Sequence, residues 1–524
     1  MENRVTAVPG LRARLEGQTE RQRLIFAALA GVVVSLGLPP VPWTGVLVPV
    51  GLAWFFMQLS PAERPARLAW VFGFSHQLTL QHWLFFLIPA KTIPTRALIP
   101  AQALAAIGYV ALFYLIFGWL YGRARRRLGT EKAFLMLPVL FVGMELLRDR
   151  GELAYPWCLS GSCVLSTPLL SLARTQGEMG LGAAVVFTAV AAAAWVLGHV
   201  RFRMLTATAL GIWLALALGS VVSGPEAGSA PVKVAAVQAD VALADKWDKD
   251  KLAATVDPYT RLTQEAVAGG AQLVVWAETA IPAYVRYDRE LMDWVRDLAR
   301  EQNIFIYTGF PDAQREADGT VSKFNSSGLF NRQGTLVDRY AKYHLLPIGE
   351  AMPFTRYLPF LAKIDVGQAE WAPGAPPQVL KLSDDVGPFP FSGLICFESI
   401  LGRLARDSVR QGSGCLIVLT NDGWFGKTAG PMQHAALARM RAAECGVPLI
   451  RCANNGISLI TDERGRVLDS LPLGRAGVVE AELKAGAGGT LFVRFGNTPL
   501  VLFLLGWTLL ILMLPGNRSH AHST

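Results

Sequence analysis

A chain of 524 residues that is 52% hydrophobic and only 17% charged is too apolar to be soluble throughout, and it has room for about two or three ordinary domains. The formal net charge of +9 does not point to nucleic acid. Its arginines stand at the edges of apolar blocks (Arg12, Arg14, Arg21 and Arg23 before the first, Arg123, Arg125, Arg126 and Arg127 after a later one), and no basic stripe is interleaved with aromatics.

In chain order, apolar runs at residues 24–38, 46–59, 68–88, 98–120, 133–147, 180–198, 204–222 and 498–514 read as membrane spans, because each approaches the roughly 20 residues that cross a bilayer. The first, second and fifth are short for that purpose. The first is not a cleaved signal peptide, since it ends in Leu38-Pro39-Pro40 without a small-x-small site and further spans follow. Basic segments (the N-terminus and residues 61–67, 123–132 and 201–203) alternate with poorer loops such as 37–43, which has no Lys or Arg. Placing the basic set in the cytoplasm leaves eight spans with both termini inside. Glu145, His76 and His82 are costly in lipid and default to functional or interfacial positions.

Residues 223–231, rich in Gly, Ser, Ala and Pro, mark a boundary. Beyond it, short β runs alternate with helical stretches. Strands are expected at 232–237, 273–276, 304–309, 392–395 and 416–419, and helices at 249–268 and 288–302. This is a layered α/β domain, for which a two-sheet sandwich is one arrangement. The expected organisation is a cytoplasmic tail (1–23), a membrane domain of about seven helices (24–222), an extracytoplasmic catalytic domain (223–497), a C-terminal transmembrane helix (498–514) and a second cytoplasmic tail (515–524).

Three reactive side chains stand at or just past the ends of expected strands: Glu278 after Leu-Val-Val-Trp-Ala, Lys342 after Thr-Leu-Val-Asp-Arg-Tyr-Ala, and Cys396 after Phe-Ser-Gly-Leu-Ile. Strand ends are where α/β sheets leave crevices for sites. A thiol needs a base or a nearby cation to attack at neutral pH. A carboxylate can take its proton and return it later, and an ammonium can stabilise both a thiolate and the oxyanion of a tetrahedral intermediate. Together the three are chemically complete for acyl transfer. The six cysteines form no CxxC pair and no His-spaced ligand set, so neither a disulfide framework nor a metal site is expected, and no cofactor.

The words around these residues, Val-Trp-Ala-Glu278-Thr, Tyr-Ala-Lys342-Tyr-His-Leu-Leu-Pro-Ile-Gly-Glu350 and Leu-Ile-Cys396-Phe-Glu398, resemble in order and spacing the nitrilase (carbon–nitrogen hydrolase) superfamily. That resemblance implies an αββα sandwich, with Glu278 as general base, Lys342 as oxyanion stabiliser and Cys396 as nucleophile. Further segments resemble the branch called apolipoprotein N-acyltransferase: Asn421-Asp422-Gly423-Trp424-Phe425-Gly426, Gln433-His434 with Arg439-Met440-Arg441-Ala442, Cys452-Ala453-Asn454-Asn455-Gly456, Trp247 within Lys-Trp-Asp, and Tyr155-Pro156-Trp157 among the spans. Ala277 and Thr279 stand where the family usually has Pro and Ser, and Phe397 where it often has Tyr. By the same resemblance Glu350 and Glu398 line the site, while Trp247, Asn421 and Trp424 are pocket walls or scaffold; the alternatives are a surface-loop carboxylate for Glu350 and a charge at a helix N-terminus for Glu398.

The implied reaction moves a fatty acyl group from a membrane phospholipid, through a Cys396 thioester, to the α-amine of a lipoprotein's diacylglyceryl-cysteine. The partners are thus the phospholipid donor, the diacylglyceryl lipoprotein acceptor and the bilayer, and the implied location is the inner membrane with the catalytic domain in the periplasm. Residues 351–361, with Met352, Phe354, Tyr357, Leu358 and Phe360 among prolines, read either as a buried loop or as an apolar arm that admits acyl chains. Two rival readings are a membrane-tethered amidase, with water as second nucleophile, and a non-enzymatic membrane protein with a degenerate domain.

Overall fold

The computed structural model describes residues 9–88, 96–223, 230–242, 246, 252–363, 371–382 and 388–515. Most of the 223–231 link therefore lies outside the described residues.

Every expected span carries a helix: Glu20–Leu36, Leu47–Leu59, Pro65–Leu80, Ile99–Leu128, Leu137–Arg148, Ala173–Leu197, Phe202–Val222 and Thr498–Met513. By length and composition alone, three helices among the described residues suffice to cross a membrane: Ile99–Leu128, Pro168–Leu197 (a short turn continuous with the next helix) and Phe202–Val222. The shorter ones fall below the span length. Sixteen residues, as in Pro65–Leu80, rise only about 24 Å against a hydrocarbon core of about 30 Å. The expected span 133–147 is divided into Thr130–Leu135 and Leu137–Arg148, and Pro138 sits in the first turn of the second, where its missing N–H has no helical partner to lose. Leu29, Val50, Leu112, Ile116, Leu210, Leu214, Leu218, Leu505 and Leu509 are exposed on these helices, an apolar surface that suits lipid rather than water.

The three polar residues singled out within the spans have local partners. Both Glu145 oxygens accept from Ser160, its N–H and its hydroxyl, each at 2.8 Å, so this buried carboxylate ties down the turn Ser160–Val164. His76 is buried with Nδ1 2.8 Å from Ser35 Oγ. His82 is exposed, its Nδ1 3.0 Å from the Thr79 carbonyl.

The second half contains two six-stranded sheets. The strands are β1 (Val232–Gln238), β2 (Leu273–Trp276), β3 (Phe305–Arg315), β4 (Val321–Phe330), β5 (Leu336–Ala341), β6 (Leu380–Leu382), β7 (Phe389–Ile395), β8 (Leu416–Thr420), β9 (Leu449–Ala453), β10 (Ser458–Thr461), β11 (Val467–Leu471) and β12 (Gly477–Leu483). One sheet runs β12-β1-β2-β3-β4-β5 and the other β11-β10-β9-β8-β7-β6. In each, three central strands are parallel (β1, β2, β3 and β7, β8, β9) and the flanking pairs are antiparallel.

The side-chain period of two splits each strand between two layers. Val232, Val234 and Ala236 of β1 meet Ile417, Leu419, Ile450 and Cys452 between the sheets. Ala235 and Val237 face outward with Val274 and Trp276, beneath helices Leu252–Ala268 and Arg289–Glu301. On the far side, Leu394, Leu416, Val418 and Leu449 pack under helices Gly402–Arg410 and Ala429–Cys445, and that cluster continues without a break into the membrane bundle through Trp83, Trp157, Met179 and Phe492. The layers are therefore helix, sheet, sheet, helix and membrane bundle: an αββα sandwich whose outer helix layer rests on the bundle.

Gln433, in helix Ala429–Cys445, fastens the two halves. Its Oε1 accepts from the indole N–H groups of Trp83 (2.9 Å) and Trp157 (2.8 Å), and its Nε2 donates to the carbonyls of Pro39 and Leu80, both at 3.0 Å. Arg441, buried in the same helix, donates from NH2 to Glu178 at 2.8 Å and pairs through Nε with Glu444 at 3.1 Å, while Glu178 N–H donates to Glu444 at 2.6 Å. The expected span 68–88 also bends into this junction: its helix stops at Leu80, a short turn His82–Phe86 follows, and Ile88 N–H donates to the Trp424 carbonyl at 2.8 Å.

Candidate active site

The three sequence-expected side chains come together where strands of both sheets end. β2 stops at Trp276 and the chain turns sharply through Thr279, whose φ of +44° is left-handed. The turn is accommodated by Gly309 on neighbouring β3, where a Cβ would lie 2.6 Å from Thr279 N. This projects Glu278 into the seam. Its Oε1 accepts from Asn325 Nδ2 at 2.7 Å, and its Oε2 accepts from the Asn421 backbone N–H at 2.9 Å.

Lys342 follows β5 directly, and its N–H donates to the Asn325 carbonyl at 2.8 Å. Its buried ammonium donates to both oxygens of Glu350, at 2.7 and 2.9 Å. Glu350 in turn accepts from Leu346 N–H at 2.8 Å and Asn325 Nδ2 at 3.3 Å. Cys396 follows β7 directly, opens the short turn Cys396–Ile400 and holds a φ of +52°, an unusual conformation for a side chain with a Cβ. It is the one cysteine with part of its surface open; the other five are buried.

The charges act on one another across this seam. Burial pushes the Glu278 carboxyl upward, the Lys342 ammonium opposes that push, and the Glu350 carboxylate adds to it. Burial alone would lower Lys342, but the negative charges of Glu350, Cys396 and Glu278 outweigh it, so the ammonium is held firmly protonated. The Cys396 thiol is raised, first by burial and then by Glu278, with Lys342 pulling the other way. Burial and the Glu278 charge thus disfavour a preformed Cys396 thiolate, while Lys342 stays an ammonium.

Glu398 spans the site from behind. Its Oε1 accepts from Tyr340 OH (2.7 Å), Tyr343 N–H (2.9 Å) and His344 N–H (2.9 Å), and its Oε2 accepts from Ile395 N–H (2.7 Å). One fully buried carboxylate therefore locks the turn after Lys342 to the turn carrying Cys396, while also neutralising orphan N–H groups at the start of its own turn. Asn421 contributes through its backbone N–H. Trp424 is partly exposed at the junction with the bundle, and Trp247 lies outside the described residues. Phe354 is partly buried with φ +61°, and its N–H donates to Glu152 of the membrane half at 2.6 Å. Beyond it Tyr357, Leu358 and Phe360 are exposed, so residues 351–361 are not a buried loop.

Asn325 and Lys246 belong to the site without having been singled out in the sequence. Asn325 bridges Glu278 and Glu350. Lys246 is buried and donates to the Glu278 carbonyl at 2.8 Å, with burial drawing its pKa down to about 7 against the pull of Glu278. Lys246 is adjacent to the Lys-Trp-Asp tryptophan that the resemblance marked, which was the one available signal; Asn325 lies in a polar strand with none. An aromatic column leads from the site to the bundle: His344 stacks on Phe397 (6.0 Å), Phe397 on Tyr155 (6.0 Å) and Tyr155 on Trp157 (6.0 Å).

Comparison with known proteins agrees in extent with these two halves. Residues 233–490 match the carbon-nitrogen hydrolase family model, and residues 30–191 match the model for the apolipoprotein N-acyltransferase N-terminal domain. A Geobacter metallireducens protein named apolipoprotein N-acyltransferase is 30% identical over 502 residues, covering 91% of this chain and 92% of its own. One of the same name from Vibrio cholerae is 29% identical over 497 residues, covering 92% and 95%. Among solved structures, an amidase from Nesterenkonia sp. is similar at 19% identity and a TM-score of 0.38, covering 54% of this chain and 99% of that one.

Proposed function

Since the chain belongs to the apolipoprotein N-acyltransferase family, we propose that it transfers a fatty acyl group from a membrane phospholipid to the α-amine of a lipoprotein's diacylglyceryl-cysteine through a thioester on Cys396. The observation that supports this most is the convergence of Cys396, Glu278 and Lys342 on a seam whose outer helix layer is continuous with the membrane bundle.

In the first half-reaction Glu278 takes the thiol proton as sulfur attacks the ester carbonyl. The oxyanion that forms faces the Lys342 ammonium and the Phe397 N–H, which stands in the first turn of Cys396–Ile400 and so has no acceptor within that turn. Collapse breaks the ester C–O bond. Glu278 returns the proton to the departing oxygen, and a lysophospholipid leaves. In the second half-reaction the free amine attacks the thioester, Glu278 takes its proton, the C–S bond breaks, and the thiolate is reprotonated. Glu350 holds Lys342 in place, and Asn325 and the Asn421 N–H hold Glu278. The test is intact mass. Protein given phospholipid alone should gain one acyl group that hydroxylamine removes, and a diacylglyceryl peptide with a free amine should discharge it. Rapid release to water without any amine would instead support the tethered amidase.

The partly open segment 351–361 supports an arm that dips toward acyl chains. Replacing Phe354 and Phe360 by serine should slow transfer from long-chain phospholipids by about 10-fold while sparing a short soluble acyl ester, because remote contacts with the chain serve the transition state. Equal loss with both donors would refute the arm.

The arginine asymmetry supports an inner-membrane protein with its catalytic domain in the periplasm. In a Cys396→Ser background, Asp318→Cys at the β3–β4 hairpin should react with an impermeant maleimide in intact spheroplasts, and Arg127→Cys only after lysis. The reverse labelling pattern would invert the topology.

A further inference from the structure

Directly behind the Cys396 turn lies a buried polar cluster that the chemistry above does not use. His434, in helix Ala429–Cys445, places Nε2 3.1 Å from the Cys396 carbonyl oxygen and 3.0 Å from Ser399 Oγ. Ser399 Oγ donates to the same carbonyl at 2.8 Å. On the other side of the ring, Nδ1 is 3.1 Å from Asp422 Oδ1 and 3.2 Å from Arg451 NH2, and Arg451 donates to Asp422 Oδ2 at 2.6 Å. His434, Ser399, Asp422 and Arg451 are all buried.

These distances select the donor on the ring. A neutral imidazole protonated only at Nδ1 would set a nitrogen lone pair against the Cys396 carbonyl oxygen at 3.1 Å, which is repulsive. A ring protonated at Nε2 donates to that carbonyl while Nδ1 accepts from Arg451, which offsets the approach of bare Nδ1 to Asp422 Oδ1 at 3.1 Å. An imidazolium does the same at Nε2 and donates Nδ1–H to Asp422. Both favourable arrangements put the Nε2–H on the carbonyl. Burial and the Arg451 charge lower the His434 pKa, against the Asp422 carboxylate and the Cys396 carbonyl, which raise it.

A trans peptide is planar, and its C=O and N–H point in opposite directions. Clamping the Cys396 carbonyl toward His434 and Ser399 therefore turns the Phe397 N–H the other way, toward the seam. Cys396 is the residue at φ +52°, so the plane being clamped follows a strained residue that has other wells to relax into.

We propose that His434 is a positioning residue for acyl transfer, holding the Cys396–Phe397 peptide plane so that the Phe397 N–H meets the developing oxyanion. This rests on the thioester reading above. Asp422 and Arg451 serve by fixing which nitrogen of His434 carries the proton.

The experiment uses the full-length protein in phospholipid vesicles and compares two reactions of the same thiol. Thioester formation from phospholipid passes through an oxyanion. Alkylation of Cys396 by iodoacetamide is a displacement at a saturated carbon and builds none. His434→Ala should slow acylation by about 10²-fold at saturating donor, with KM unchanged, as expected when a reacting group is misplaced by about 1 Å. Alkylation should proceed at the wild-type rate. His434→Gln, whose amide can donate to the same carbonyl, should recover about 10-fold of the loss. Ser399→Ala, a smaller change that removes the second donor, should show the same split to a lesser degree, and it stands in should His434→Ala fail to fold. Parallel loss of acylation and alkylation, or unimpaired acylation in His434→Ala, would overturn the proposal while leaving the thioester reading intact. Wild-type protein that acquires no acyl mass would overturn both.

Discussion

Cys396→Ala should acquire no acyl mass from phospholipid and transfer none to a diacylglyceryl peptide, with loss to the limit of detection. The other five cysteines are buried, and none stands at the seam where Glu278 and Lys342 meet, so no second thiol is placed to substitute. Cys396→Ser sharpens the result. An alkoxide is harder to form than a thiolate, so this variant should also be inactive in the first half-reaction although the side chain keeps its shape and a proton. Intact-mass measurement after incubation with donor, and again after hydroxylamine, reads both variants directly. An acylated Cys396→Ala protein would remove the thioester from the mechanism altogether.

Glu278→Gln should slow both half-reactions by about 10²–10⁴-fold, the range expected for loss of a positioned general base. The amide oxygen can still accept from Asn325 and the side chain fills the seam, at the loss of the bond from the Asn421 N–H, which an amide NH2 cannot accept. The pH profile separates this from a binding defect. Burial raises the Glu278 pKa above the ordinary carboxylate range, so the wild-type base is present above that pKa and is lost as pH falls through it. Acylation should therefore decline on the acid side in the wild type, and that acid limb should vanish in Glu278→Gln, leaving a low, flat rate. Lys342 contributes no alkaline limb below the ordinary lysine range, because its pKa is raised by Glu350, Cys396 and Glu278 against the effect of burial. A Glu278→Gln variant that keeps the wild-type acid limb would assign the base to another group.

Much of this site was legible because its three reactive residues each follow an apolar strand, and strand ends are where sheets open. The central strands β1, β2, β7 and β8 read directly from runs such as Leu-Val-Val-Trp. The edge strands did not. β5, Leu-Val-Asp-Arg-Tyr-Ala, alternates with charge because one side meets solvent, and β11 is exposed along nearly its whole length. The αββα layers followed from the resemblance more than from the pattern.

What remained hidden were residues whose roles exist only in three dimensions. Asn325 reaches Glu278 across 47 positions of sequence, and no local pattern marks a strand asparagine as a bridge between two carboxylates. Glu398 was expected to line the site or to sit at a helix start. Of its four hydrogen bonds, the one from Ile395 N–H serves the second role, and the other three pin the turn beyond Lys342. In the membrane half, composition located a helix in every expected span, but packing set the helix lengths. Helices of 12 to 17 residues satisfy the apolar pattern and still stop short of a full crossing where the chain bends into the soluble domain.

Gln433 spends its whole hydrogen-bonding capacity on Trp83, Trp157, Pro39 and Leu80, one residue before the histidine that grips the nucleophile's turn. The turn that bears the thiol therefore has a fixed height relative to the helical bundle rather than swinging on a tether. In the proposed reaction both lipid substrates carry their reacting atoms at a height their own anchors dictate. With one coordinate of the encounter settled in advance for all three participants, the search that remains is lateral drift across a plane, and the bilayer itself does part of the aligning that a soluble enzyme must do with its pocket.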